Sequence, residues 1–210
     1  MIAISLKELS RSFLYKTILD QISLEIAENE AVIITGANGS GKTTLLRILS
    51  TLLKPSSGEI FYFRTDWEEA VSSIRHQMGV MFSENFLYPD LTVKENLDFY
   101  QRIYQIDKKN HRIEPLLERF QMSTFLHESV RHLSRGEKQK ISLIRSVLHS
   151  PKLIFWDEPT TGLDEASQHL FQELAKEQKT KATIVCATHD LSTTTTWADR
   201  TLKLSQGKLL

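Results

Sequence analysis

Gly36-Ala37-Asn38-Gly39-Ser40-Gly41-Lys42-Thr43 decides the reading of this chain. The stretch has the form G-x-x-x-x-G-K-T. It follows the apolar run Ala31-Val32-Ile33-Ile34 and leads into Leu45, Leu46, Ile48 and Leu49 at helical spacing. Strand, glycine loop and helix in that order are the setting in which the pattern binds phosphate. Glycines let the backbone curl so that successive N–H groups converge on phosphate oxygens. The helix N-terminus behind them adds unpaired donors and the positive end of its dipole. Lys42 supplies a point charge for the β- and γ-phosphates, and the Thr43 hydroxyl a ligand for Mg²⁺. The cradle is expected to run from Gly36 through Thr44. The competing reading is a glycine turn that merely joins a strand to a helix. At average residue usage the fixed positions arise by chance in under about 1% of chains of this length, before the flanks are required. The stretch is therefore read as a nucleoside triphosphate site.

Composition narrows the partners. Lys plus Arg and Asp plus Glu both number 26 in 210 residues. Net charge thus gives no reason to invoke nucleic acid or an anionic membrane surface. Cys186 is the single cysteine, which excludes an intrachain disulfide framework and fits a reducing compartment. It sits within Ala182-Thr183-Ile184-Val185-Cys186-Ala187, an apolar run in which a small core residue is expected rather than a reactive thiol. No apolar run approaches the roughly 18 residues of a membrane-spanning helix. Met1 to Lys7 alternates like a strand and does not resemble a signal peptide. The expectation is a cytoplasmic protein whose membrane role, if it has one, comes through a partner chain.

Outward from the loop, the pattern predicts an α/β chain. Ile2, Ile4 and Leu6 alternate with polar neighbours, as do Ile22, Leu24 and Ile26, which predicts two strands joined through an aromatic-bearing loop at Ser12 to Lys16. Beyond the first helix, Lys54 to Gly58 is a break. Glu59 to Phe63 reads as a strand, Asp66 to His76 as a helical connection, and Gly79 to Phe82 as a buried strand. From about 88 to 132 the character is helical, a subdomain inserted into a single 1–210 domain. Ser134 and Glu137 form a capping box for a helix that ends before Ser150-Pro151. Strands are expected at Lys152 to Glu158, Ala182 to Thr188 and Thr201 to Leu204, with helices at Glu165 to Lys179 and Ser192 to Trp197. Strands alternating with helices imply a mainly parallel sheet.

The strand ending in Asp157-Glu158 supplies the second half of the site, because ligands gather at the carboxyl ends of parallel strands. Asp157 is placed to hold Mg²⁺ opposite Thr43, directly or through water. Glu158, one residue on, can reach the water in line with the γ-phosphate and act as its base. Without the glycine loop, the pair would read as an ordinary acidic turn.

At this point a family resemblance emerges. Leu133-Ser134-Arg135-Gly136-Glu137-Lys138-Gln139 resembles the L-S-G-G-Q signature of ATP-binding-cassette (ABC) ATPases, and lies just before the Asp-Glu strand as in that family. Gly162-Leu163-Asp164 resembles the D-loop, Thr188-His189-Asp190 the switch histidine, and Leu87 to Leu97 the segment after the Q-loop. The resemblance covers essentially the whole chain. It implies a P-loop NTPase core with a mainly parallel sheet, N-terminal antiparallel strands and an inserted helical subdomain. It also implies a head-to-tail dimer with two ATP molecules at the interface, each between the glycine loop of one subunit and Ser134, Gly136 and Glu137 of the other. His189 would contact the γ-phosphate and position Glu158. Phe13 aligns with the aromatic that stacks on adenine, with Tyr15 as the fallback; such stacking is worth about 1–3 kcal/mol.

The sequence departs from the family at two places. The Q-loop glutamine, which touches Mg²⁺ and links the site to the membrane partner, should fall at position 83, where the chain has Ser83 followed by Glu84. Gln77 lies across the preceding strand and is no substitute. In the signature, Arg135 and Glu137 replace a glycine and a glutamine. The resemblance implies the ATPase subunit of an ABC transporter, peripheral on the inner face of the cell membrane and docked on an integral permease subunit. The segment 91–100 looks most like export-type ATPases. Chain length, the Leu-Ser-Arg-Gly signature and the lack of a C-terminal regulatory domain resemble the haem-exporter ATPase of cytochrome c maturation. The alternative is an ABC ATPase of an assembly system, such as iron–sulfur cluster assembly, that drives no transport.

Overall fold

The computed structural model describes residues 1–107, 112–190 and 196–210. Helices α1 (Lys42–Leu49), α2 (Trp67–Ile74), α3 (Val93–Ile103), α4 (Ile113–Arg119), α5 (Arg135–Val147) and α6 (Glu165–Lys179) alternate with strands β1 (Ile2–Phe13), β2 (Lys16–Ala27), β3 (Ala31–Thr35), β4 (Ser57–Tyr62), β5 (Thr65–Asp66), β6 (Met78–Met81), β7 (Leu153–Asp157), β8 (Thr183–Ala187), β9 (Arg200–Ser205) and β10 (Lys208–Leu209). Helix starts follow their capping chemistry. Thr92 with Glu95 opens α3 and Ser134 with Glu137 opens α5, each as a reciprocal capping box, while Asp66 and Asp164 cap α2 and α6.

Among the described residues the strands form two sheets. The antiparallel sheet has the order β2-β1-β4-β5, and the larger sheet the order β10-β9-β3-β8-β7-β6. In the latter, β9, β3, β8, β7 and β6 run parallel, and β10 returns antiparallel along the edge. A parallel sheet must bury both faces, and the side-chain alternation does this here. Ile33, Ile154, Trp156, Ile184 and Cys186 face a core shared with α3, α4, α5 and α6. Val32, Ile34, Leu153, Phe155, Val185 and Ala187 face a second core shared with α1 and the antiparallel sheet. Cys186 is a buried free thiol whose pKa is pushed up by burial, so it is packing and not a nucleophile.

Two expectations change. The chain between the first two strands is not a loop from Ser12 to Lys16, because β1 and β2 run on as a long hairpin whose turn is Leu14-Tyr15 alone. Cross-strand pairs Ser12↔Thr17 and Phe13↔Lys16 carry the ladder to the tip. The polar residues there broke the apolar alternation without breaking the strands, since antiparallel pairing needs only backbone groups. The chain end adds β10, a short strand not foreseen, which pairs with β9 across the turn at Gln206-Gly207. Of the helix expected at Ser192 to Trp197, positions 192–195 lie outside the described residues.

Candidate active site at the glycine loop

The glycine loop lies where β3, β8 and β7 present their carboxyl ends side by side. Thr35 at the end of β3 precedes Gly36, Asp157 ends β7, and Ala187 at the end of β8 precedes Thr188-His189. The loop is tightly packed from behind: a Cβ on Gly36 would stand 2.2 Å from the Leu204 carbonyl oxygen, so only glycine fits. Lys42 opens α1, is only 7% exposed, and donates its ammonium to the carbonyls of Gly36 at 2.8 Å and Ala37 at 3.3 Å. Its charge is thus held within the curl of the loop.

Strand alternation aims Asp157. It shares the face of Leu153 and Phe155, which packs toward α1, and so meets the first turn of that helix. Thr43 Oγ1 donates to Asp157 Oδ2 at 2.8 Å. Burial holds the Asp157 carboxyl above its ordinary range, and the Thr43 hydrogen bond pulls the other way. Asp157 Oδ1 and Ser40 Oγ are both buried and neither has a hydrogen-bond partner. A buried polar atom left unpaired costs about 1–3 kcal/mol, so these two atoms fit ligand oxygen at Ser40 and a cation at Asp157. Among the described residues no group of three His, Cys, Asp or Glu side chains could cage a metal. One carboxylate plus one hydroxyl is the sparse set that suits Mg²⁺, which keeps most of its water and shares substrate phosphates.

Glu158 has φ 50°, in the left-handed region, which is strained for a residue with a side chain and more so before Pro159. Its N–H donates to the Ala187 carbonyl at 2.8 Å. Its carboxylate oxygen Oε2 lies 3.1 Å from Thr188 Oγ1 and 2.9 Å from His189 Nδ1. An ionised carboxylate only accepts, which places the shared proton on His189 Nδ1 and leaves Nε2 for a second partner. The turn that strains Glu158 also brings it over the loop, where it lines one cleft with Lys42, Thr43 and Thr44.

Two clefts of about 410 Å³ each flank Thr43. One runs over the loop, lined by Asn38, Gly39, Gly41 and Lys42 together with Lys16 and Ile18 of β2. The other runs toward the helical side, lined by Ser83, Arg135, Lys138, Asp157, Glu158 and Thr161 among others. Ser83 therefore reaches the site. Glu84 does not line that cleft, and its carboxylate is bonded to Arg47 at 2.6 and 2.8 Å. Gln77 ends a 3₁₀ turn at the opposite end of β6.

Some expected site residues stand apart from the loop. Phe13 is 45% exposed at the end of β1, with the Arg11 guanidinium 4.4 Å from its ring centroid, and does not line the clefts around Thr43. Tyr15 at the hairpin tip is fully exposed. Ser134 and Gly136 line neither cleft. Ser134 Oγ accepts from Glu137 N at 3.3 Å, and Glu137 Oε2 accepts from Ser134 N at 2.6 Å. Glu137 is thus turned back onto its own helix as a cap. Gly136 abuts the D-loop turn: a Cβ there would stand 2.8 Å from the Gly162 carbonyl oxygen. The sequence reading missed Lys16, Asn85 and Gln139 as neighbours of the site. Only for Gln139 was there a signal, a polar residue facing inward one turn beyond a capped helix start.

The fold and the site define a P-loop ATPase in which Ser134 and Gly136 of the signature turn do not line the clefts at their own glycine loop. Residues 19–161 match the model of the ABC transporter family, and the chain belongs to that family. It is 36% identical to the ABC transporter ATP-binding protein NatA of Bacillus subtilis, over 99% of this chain and 87% of that protein. A solved ATP-binding subunit of an ABC transporter superposes with a TM-score of 0.92 at 29% identity, over 99% of this chain and 88% of that one. A dimeric post-hydrolysis structure of the cassette MJ0796 bound to ADP and Pi superposes with a TM-score of 0.86 at 26% identity, over 98% of this chain and 96% of that one. Matched relatives include proteins named as import ATP-binding proteins. The chain is an ABC transporter ATP-binding subunit with the ATPase fold. Among the described residues no helix is long and apolar enough to cross a membrane.

Proposed function

We propose that this chain hydrolyses ATP at the interface of two copies or of two related subunits, and that the pair drives a separate integral membrane subunit, in the export direction. The observation that carries the reading is the side-by-side arrangement of two bonded pairs at the strand ends. Thr43 with Asp157 and Glu158 with His189 lie where the phosphates above the loop would meet them. The loop N–H groups and Lys42 bind the β- and γ-phosphates and offset their charge. Thr43 and Asp157 would hold Mg²⁺, with Ser83 on the same cleft, and the ion supplies charge compensation for the phosphate oxygens. Glu158 takes a proton from the attacking water as general base, and His189 holds that carboxylate in place while offering Nε2 toward the γ-phosphate. Ser134 and Gly136, with backbone donors at the N-terminus of α5, would complete the site of the second subunit.

Support for the dimer comes from Ser134 and Gly136 standing off their own loop, and from the dimeric relative. Support for export comes from the 91–100 segment; the import ATPases among the relatives make direction a matter for transport in inverted vesicles. The haem-exporter subtype is a finer reading that rests on the Leu-Ser-Arg-Gly signature, and loss of c-type cytochromes on deletion tests it. Trapping tests the central claim. The Glu158→Gln variant should elute as a dimer in Mg-ATP and as a monomer in ADP, and the native protein should co-purify with an integral membrane subunit. A variant monomeric in both nucleotides would sink the interface reading. A soluble scaffold as the sole partner would favour the assembly-system alternative.

A further inference from the structure

We infer that Gln139 is a positioning residue for Glu158, tying the base to the signature helix of its own chain. Gln139 lies on α5, one turn beyond the signature start, and its Nε2 donates to the carbonyls of both Glu158 and Pro159 at 3.1 Å each. The inference rests on the reading of Glu158 as the general base.

The physical need for such a tie is local. Glu158 combines a left-handed φ of 50° with a following proline, and a backbone in that state persists only when its surroundings over-determine it. Pro159 has no N–H, and within the turn the Glu158 carbonyl accepts from Thr161 N at 3.2 Å, a contact internal to the turn that does not anchor it to another element. The Glu158 N–H and carboxylate are held by Ala187, Thr188 and His189, all from β8 and the turn that follows it. Gln139 holds the opposite side, and it comes from a different element. With both sides fixed, the peptide plane cannot rotate, and the carboxylate stays aimed over the loop. A glutamine suits the task because one –NH₂ group carries two donors, one for each carbonyl. A leucine or a glutamate at the same place fills similar volume and offers neither in the ionised form.

Gln139 also lines the cleft shared by Thr43, Asp157 and Glu158. Its helix starts at Ser134 and Gly136, the turn that on the dimer reading faces the second subunit's ATP. The helix that reads one nucleotide therefore grips the base that acts on the other.

A double-mutant cycle tests this in single-turnover ATP hydrolysis. Gln139→Glu and Gln139→Leu should each lower the rate about 10-fold or more, because misplacing a reacting group by a fraction of an ångström has effects of that order. The KM for ATP should stay within about 2-fold, since the loop is untouched. In the Glu158→Gln background the same substitutions should lower the residual rate by less than about 2-fold, because a residue acting through Glu158 has nothing left to position. Equal losses in both backgrounds would make Gln139 a structural residue and overturn the inference, as would a raised KM with an unchanged rate or no change at all. Unfolding midpoints within a few degrees of native confirm folding, and two substitutions of different polarity guard against one failing to fold. Failure of the base reading is separable: it would show as native-like turnover in Glu158→Gln alone.

Discussion

In the floor of the site, Lys42 and Asp157 are buried and tied to the loop and to Thr43, and Gly36 is packed against a carbonyl. Along the helical wall of the same cleft, Ser83 and Arg135 are exposed, while their neighbours turn elsewhere: Glu84 bonds Arg47 and Glu137 folds back on its own cap. The family pattern is intact in the first region and altered in the second. Burial explains the contrast. A buried charge must be paired in a fixed geometry, so the residue types there have almost no freedom. An exposed wall can change residue type at little cost to the fold.

The largest effect expected from breaking the floor is in turnover. Glu158→Gln should cut steady-state ATP hydrolysis at least about 100-fold, since general-base catalysis commonly contributes 10²–10⁴. A colorimetric phosphate assay measures it, and wild-type-like turnover would remove Glu158 from its role. Lys42→Ala should act on binding first. Charge-assisted contacts worth about 1.5–3 kcal/mol correspond to a loss of roughly 10–100-fold in ATP affinity, read by calorimetric titration.

Asp157 breaks the floor in the opposite sense. Its raised pKa means that the folded state favours the protonated carboxyl, an advantage lost as pH rises through the raised value. The always-neutral Asp157→Asn should therefore unfold at a higher temperature than the native protein at neutral pH, without nucleotide and in EDTA. The gap should close as pH falls toward the ordinary carboxyl pKa, where both are neutral. A gap that widens toward acid would contradict the burial account. Loss of Mg²⁺-dependent hydrolysis should accompany the gain.

Changes to the wall should be smaller. Ser83→Gln restores the longer side chain beside Thr43 and Asp157, and should lower the Mg²⁺ concentration for half-maximal turnover by about 3-fold, the worth of one net hydrogen bond. It should also alter stimulation by the membrane partner, and if neither moved, Ser83 would have no part in the link. Least affected should be stability in Glu84→Ala, because the exposed Arg47 pair contributes under about 1 kcal/mol and so about 3 °C or less in the unfolding midpoint.

Much of this was legible before folding. The strand at Ala31, the loop to Thr43 and the Asp157-Glu158 pair could be read because each combines a period with a fixed chemical requirement. The capping box at Ser134 obeys a local rule and sits where its spacing puts it; the like box at Thr92 and Glu95 follows the same rule but was not read. The long β1–β2 hairpin was under-read because polar residues near Ser12 mask strands whose pairing runs through the backbone. The neighbours Lys16 and Asn85 carry no motif, and Gln139 sits in the signature stretch without its contact to Glu158 being readable there.

By itself the sequence determined the nucleotide, the parallel core and the acids at the ends of its strands. These depend on short-range spacing and on burial, which a pattern of residue types encodes directly. Tertiary structure alone decided that Phe13 stands partly exposed beside the hairpin tip, that Glu84 is taken up by Arg47, and that Gln139 grips the backbone of Glu158. The last two are choices among partners far apart in the chain, and only packing fixes which partner a polar side chain reaches.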